Sequence, residues 1–349
     1  MIVDVTPMTG AGRMLAAARL QPVDATPVWF MRQAGRCLAE YRALRDRYDI
    51  LTLAKTPDLC AQVTLMPIDA FGVDAAVMFA DIMLPLEPMG VELEIEPEVG
   101  PIIHNPVRSP ADVERLRQFD PTEGVGFLME AIRLVRAELD GRAAVIGFSG
   151  APFTLACYLI EGRPSREYTL AKSFMYRQPE AWHDLMARLS EMIVRYLNAQ
   201  VDAGAQVVQL FDSWVGALSP TDYADYVQPH VRRIFDGVRG APTIHFGTHT
   251  AALLELMAAA GGDVMGIDAR QSLDVAWARI GHERGVQGNL DATRVLAGWE
   301  PTEAGARDVL RRAAGRPGHI FNLGHGVLPE SDPAILRRLV DFVHAETAG

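Results

Sequence analysis

Four arginines, Arg32, Arg36, Arg42 and Arg45, fall within the stretch VWFMRQAGRCLAEYRALR (28–45), and Arg47 follows just beyond. A guanidinium is always charged and presents a planar fork that matches carboxylate or phosphate, so the cluster suits an anionic ligand. With Glu40 and Asp46 counted, residues 28–48 carry +3 in a chain of formal net charge −11. Such a run can also be a solvated helical face, since spacings of three or four place some of these arginines side by side. Two features favour binding: the apolar segment with Trp29 and Phe30 leads into the run, and Gly35 lets backbone approach a ligand closely. Asp81 is the second focus. It follows the apolar run AVMFA (76–80), where a carboxylate is costly unless satisfied by a ligand, a helix end or an arginine.

The remaining composition narrows the chemistry. Lys55 and Lys172 are the two lysines among 33 basic residues in this 349-residue chain, so a Schiff-base mechanism has two candidate nucleophiles. An acidic chain of pI near 5.3 has no global field for nucleic acid or an anionic membrane. Cys37, Cys60 and Cys157 form no C-x-x-C pair, which argues against a disulfide framework and fits a reducing cytosol. The segment MIVDVTPMTG lacks a signal-peptide layout, and no apolar run reaches the roughly 18 residues of a membrane span. A cytoplasmic protein is expected.

Positioning such residues requires a scaffold, and the pattern predicts one. Short apolar runs at 27–31, 76–80, 144–148, 206–211, 242–246, 264–267, 285–288 and 319–323 read as buried strands. Amphipathic stretches at 180–203, 221–238, 248–260, 272–280, 303–314 and 332–346 read as helices. Residues 91–103 alternate like a hairpin inserted in a loop. Strand then helix repeated about eight times predicts a single (β/α)8 barrel domain over 1–349. A barrel puts its functional groups just after each strand. Those positions hold Arg32 and Arg36, Asp81, Ser149, Asp212 and Ser213, Thr248 and His249, Asp268, Asn289 and Asp291, and His325.

MRQAGR followed by EYR resembles the N-terminal signature of the uroporphyrinogen decarboxylase family. FADI (79–82), GFSGAPFTLACYLIEG (147–162), QLFDSW (209–214) and FNLGHGVLP (321–329) match in the same order, so the resemblance runs from about residue 20 to 346. Its fold is a (β/α)8 barrel, in agreement with the strand count. Cys37 and Ala39 depart from the family pattern, which usually has an aromatic and a proline there; the matching charged positions are untouched.

The resemblance implies a reaction: loss of CO2 from each of the four acetates of uroporphyrinogen III, giving coproporphyrinogen III in haem and tetrapyrrole synthesis. It implies no cofactor or metal, because the protonated pyrrole can itself be the electron sink, and it implies a homodimer. By the same resemblance, Asp81 accepts hydrogen bonds from the pyrrole N–H groups and stabilises the developing cation. Arg32 and Arg36 bind carboxylates, Gln33, Ala34 and Gly35 bridge them as a backbone cradle, and Arg45 reaches an outer propionate. Tyr158, Ser213 and His325 complete the substrate contacts. For Tyr158 a half-buried core role competes, and for Ser213 a helix cap; Gly324 and Gly326 around His325 favour a ligand-facing loop.

Two other enzyme classes share the barrel. Related zinc methyltransferases need a thiolate-rich site, for which His245, His249 and His325 without a cysteine are a poor match. A phosphosugar isomerase or aldolase could use GNLD (288–291) or NLGHG (322–326), but neither lysine follows an expected strand. A non-catalytic tetrapyrrole carrier would use the same arginines and differ at Asp81.

Overall fold

The structure is a computed structural model describing residues 7–96 and 99–349. Among the described residues, nine strands form two sheets: β1 (Ala75–Val77), β2 (Leu93–Glu96), β3 (Gly100–Ile103), β4 (Ala144–Gly150), β5 (Val207–Asp212), β6 (Thr243–Gly247), β7 (Val264–Gly266), β8 (Gly285–Gln287) and β9 (His319–Ile320). Seven are parallel, in the order β1-β4-β5-β6-β7-β8-β9, so each strand hydrogen-bonds to the next after its helical crossover. The antiparallel pair β2–β3 is the expected hairpin, standing outside the main sheet. All seven residues of β4 are buried, as in a parallel sheet covered by helices.

The segment expected as a strand at 27–31 is reduced to a bridge between Val28 and Phe321. Its hydrogen bonds are nevertheless those of a strand between two neighbours. Trp29 N–H donates to Phe321 O (3.3 Å) and Phe321 N–H to Pro27 O (2.8 Å), while Asp74 N–H donates to Val28 O (2.8 Å) on the other side. The buried Asp74 carboxylate also accepts from Val28 N–H (2.7 Å) and from Arg13 (3.2 Å). Just beyond, the chain turns: Arg32 has φ +59° and Gly35 φ +119°, which breaks the extended ladder. What the structure establishes is an α/β fold with a curled seven-stranded parallel sheet, with the 27–31 segment between its first and last strands.

Inside the sheet a chain of amides crosses the core. Trp29 Nε1–H donates to Gln287 Oε1 (2.9 Å), and Gln287 Nε2–H donates to Gln209 Oε1 (3.0 Å), all three residues being buried. These bonds tie the 27–31 segment to β8 and β5 and satisfy polar groups that would be costly alone.

Helices largely follow the amphipathic pattern, with informative exceptions. The stretch 221–238 is two helices, Pro220–Tyr226 and Gln228–Gly237, because Pro229 cannot donate back and crowds the preceding turn. The stretch 248–260 is helical only at Leu254–Ala260, because His249 takes φ +61°. Arg42 and Arg45 lie on the short helix Ala39–Arg45, whereas Arg32 and Arg36 lie in the turns before it, so the four arginines do not share one helical face.

Candidate active site

A cavity of about 260 Å³ opens at the carboxyl ends of the parallel strands. It gathers Arg32, Ala34, Arg36, Asp81, Tyr158, Ser213 and His325 from segments up to nearly 300 residues apart. The sheet does this by bringing the ends of β1, β5 and β9 and of the 27–31 segment to one rim.

Asp81 lies four residues beyond β1. One of its oxygens accepts the Met83 N–H at 2.8 Å, which orients the carboxylate in a turn. Burial pushes its pKa above the usual carboxylate range, while the Met83 N–H and the Arg32 charge pull the other way. Among the described residues, Arg32, Arg36 and Asp81 have no ion-pair partner within 4.0 Å. Arg32 is reached by water through the cavity yet surrounded by protein, so burial lowers its pKa and the Arg36 charge adds to that. It stays protonated, since guanidinium loses its proton only at extreme pH. Two cations and one carboxylate therefore face the same space without neutralising one another.

Arg32 owes its direction to a left-handed backbone and to a glycine opposite. A Cβ on Gly326 would lie 2.6 Å from Arg32 Cδ and 2.8 Å from Cγ, so any other residue there would displace the arginine stem. Gly35 leaves similar room for the Tyr41 ring, 3.2 Å from where its Cβ would stand.

The backbone cradle is resolved into different parts. Ala34 lines the cavity, but the Gln33 side chain is fully buried and committed: Oε1 accepts from Phe30 N–H (2.9 Å) and Nε2 donates to Ala75 O (2.8 Å). Gln33 thus pins the arginine turn to β1. Gly35 and Arg45 stand outside the cavity lining, and Arg45 donates to Tyr48 O at 2.7 Å.

Tyr158 sits late in the helix Pro152–Glu161, its ring 4.1 Å from Trp214, which in turn lies 4.8 Å from Tyr168. Burial, and then Asp81, push the Tyr158 hydroxyl up, so it is a donor rather than a phenolate. Behind it, Thr154 Oγ1 donates to Asp212 Oδ1 (3.1 Å) and accepts from Trp214 N–H (3.3 Å). Ser213 lines the cavity and its carbonyl accepts from Thr248 Oγ1 (2.5 Å). Burial, followed by the charges of Arg32, Arg270 and Arg36, pushes His325 below its ordinary value, so its imidazole is neutral at pH 7.

The cavity also has an apolar wall, which the motifs do not single out. Phe148, Phe211 and Phe246 line the cavity from β4, β5 and β6, with Phe211 edge-on to both neighbours at 5.4 and 6.1 Å. Each is the final residue of an expected strand, AVIGF, QVVQLF or PTIHF, and that repeat was the available signal. Phe79, Tyr41 and Met78 extend the wall. Arginines beside aromatic faces suit a ligand that joins an apolar ring to acidic arms.

The competing constellations do not assemble. His245 points away from the cavity to Phe235, its ring 5.1 Å away, while His325 lines the cavity. No three His, Cys, Asp or Glu side chains among the described residues are grouped to hold a metal ion. Lys55 pairs with Glu87 (2.7 Å) and Lys172 donates to Ala217 O (3.0 Å), both outside the cavity.

Comparison with known proteins gives the fold and the family of the chain. The chain is 20% identical to a methyltransferase from Methanosarcina mazei, with a TM-score of 0.82 over 98% of this chain and all of that one, a likeness of fold alone. It is 55% identical over 335 residues to a protein of Sorangium cellulosum (strain So ce56) named uroporphyrinogen decarboxylase, covering 95% of this chain and 96% of that protein. A protein of the same name from Roseiflexus sp. (strain RS-1) is 54% identical over 343 residues, 96% of this chain and 99% of its own. The family model described as uroporphyrinogen decarboxylase (URO-D) matches residues 9–346, and the chain belongs to that family.

Proposed function

We propose that this chain is a carboxy-lyase that converts uroporphyrinogen III to coproporphyrinogen III by decarboxylating its four acetate side chains. What carries this reading is the pair Arg32 and Arg36 beside Asp81 in one cavity, without ion-pair partners among the described residues. Together with family membership, it supplies anchors for acidic arms and one anion for a ring. Arg32 and Arg36 hold acetates as carboxylates, the form that loses CO2. Asp81 accepts from pyrrole N–H groups and stabilises the positive charge that appears when a ring carbon is protonated. The bond from the acetate methylene to its carboxylate then breaks. Its electron pair neutralises the ring cation, the methylene takes up a proton, and the ring carbon releases its own. Each turn exchanges CO2 for one proton, so no external electron acceptor is needed.

In this reading Phe148, Phe211 and Phe246 pack against the macrocycle, and Tyr158, Ser213 and His325 donate to its carboxylates. The 27–31 segment is the eighth stave of a closed (β/α)8 barrel that forms a single domain. The protein acts in the cytoplasm as a homodimer, without a cofactor; no described helix is long and apolar enough to cross a membrane.

Anaerobic incubation with uroporphyrinogen III, oxidation of the products and chromatography test the activity. Porphyrins with seven, six, five and four carboxylates are expected, and their absence refutes the function. Asp81→Asn should lower turnover by about 100-fold or more, the scale of losing one transition-state charge contact. Binding should fall less, and unchanged turnover would remove Asp81 from the mechanism.

A further inference from the structure

The loop after β7 carries a further cationic group, Arg270, outside the lining of the cavity. Asp268 there is buried, and its oxygens are already engaged: Oδ1 accepts from Arg270 N–H (2.9 Å) and Oδ2 from His249 N–H (2.5 Å). This holds His249 at φ +61°, a conformation a non-glycine residue keeps when its surroundings over-determine it. The Arg270 guanidinium lies 3.7 Å from Asp268 Oδ2, too far for a hydrogen bond, and its side chain is 61% exposed. No other carboxylate of the described residues lies within 4.0 Å of it, and its N–H groups have no acceptor among them.

The loop is held against the one that bears His325. A Cβ on Gly324 would lie 2.6 Å from Ala269 Cβ, so glycine there permits the two loops to touch. Arg270 is close enough for its charge to act on the His325 imidazole together with Arg32 and Arg36. It also lines a cleft of about 280 Å³ bounded by the loops after β7 and β8 and by the helix Trp299–Ala313, separate from the active-site cavity. Other rim arginines are committed elsewhere: Arg42 to the carbonyls of Arg36 and Cys37 (3.2 and 3.0 Å), and Arg45 to that of Tyr48 (2.7 Å).

We propose that Arg270, positioned by Asp268, is a second carboxylate-binding subsite that takes an acidic arm of the substrate beyond His325. The proposal rests on the decarboxylase reading for the identity of that arm. It answers a charge problem, because an octacarboxylate approaching a chain of net charge −11 needs more cations than Arg32 and Arg36.

The test is fluorescence titration of the whole protein with uroporphyrin and with coproporphyrin, alongside steady-state kinetics. Arg270→Gln should weaken uroporphyrin binding about tenfold, as expected for a solvent-facing charge-assisted contact. KM should rise by a similar factor while kcat stays within about twofold. Equal losses for both porphyrins place a propionate on Arg270, and a loss confined to uroporphyrin places an acetate there. Arg270→Lys keeps the charge and should stay within about threefold of wild type, which separates binding from a structural effect. Wild-type affinity in Arg270→Gln, or loss in Arg270→Lys equal to that in Arg270→Gln with a lowered melting temperature, overturns the subsite. Wild-type protein that binds uroporphyrin yet releases no CO2 from uroporphyrinogen refutes the decarboxylase instead, and the titration still decides Arg270.

Discussion

Replacing Gly326 by alanine would set a methyl group 2.6 Å from Arg32 Cδ, 2.8 Å from Cγ and 3.1 Å from Cβ. Carbon atoms in contact sit about 3.5–4.0 Å apart, so the stem must retreat by about 1 Å. The backbone of Arg32 cannot supply that movement. Met31 O is held by Val327 N–H (2.8 Å), Phe30 O by Gln33 N–H (3.0 Å), and Arg32 itself is in a left-handed conformation. The displacement therefore falls on the guanidinium. A misplacement of about 1 Å at a positioning group lowers rates by about 100-fold, which is about 2.7 kcal/mol of transition-state stabilisation. The fold should lose less, about 1 kcal/mol, because an arginine stem has other rotamers. The assay is kcat/KM for uroporphyrinogen consumption with thermal unfolding on the same samples. Gly126→Ala is the control, since nothing lies within 4 Å of its Cβ position. Activity within threefold of wild type in folded Gly326→Ala would refute the placement of Arg32 against the reacting acetate.

Burial raises the Asp212 pKa to about 7, and its Oδ2 has no partner among the described residues. A folded pKa above the unfolded one contributes stability below about pH 4 that is lost as pH rises through about 7. Asp212→Asn should therefore gain stability relative to wild type between pH 5 and pH 8, by up to about 2.7 kcal/mol, and raise the melting temperature more at pH 8; a pH-independent difference would exclude this origin. Gln287→Leu would leave Trp29 Nε1–H and Gln209 Oε1 buried without partners. About 2–4 kcal/mol of stability should be lost in denaturant titration. A variant as stable as wild type would mean that the amide chain does not hold the 27–31 segment in the core.

Much of the fold was legible because strands and helices have different periods. The expected runs at 144–148, 206–211 and 242–246 are β4, β5 and β6 to within two residues at each end. The misreadings share one cause. At 27–31 the apolar run was visible, but the left-handed Arg32 that cuts it short was not. At 248–260 the amphipathic pattern ran on, whereas the hydrogen bond from His249 N–H to Asp268, nineteen residues later, holds the first turn out of the helix. Pro229 was the exception: its break in 221–238 could have been read directly.

For the candidate site, strand-end positions held Arg32, Arg36, Asp81, Ser213 and His325 among other polar residues, and the motif resemblance selected these from the rest and added Tyr158. These side chains are polar, sit at strand ends or in the helix that follows, and face one cavity. Gln33 carries the same motif signal as Arg32 but turns the other way, into hydrogen bonds with Phe30 and Ala75. The phenylalanine wall depends on the register of three strands, Phe211 standing opposite Phe246 across β5 and β6.

By itself, then, the sequence determined the element types, the family and the charges available to an acidic ligand, because periodicity and residue chemistry are local properties. Which charges remain unpaired, which glycine makes room for Arg32, and that Asp268 holds the Arg270 N–H in a loop packed on Gly324 were decided by tertiary structure. Those outcomes turn on contacts between residues tens to hundreds of positions apart, at distances set when the sheet curls and brings its strand ends together.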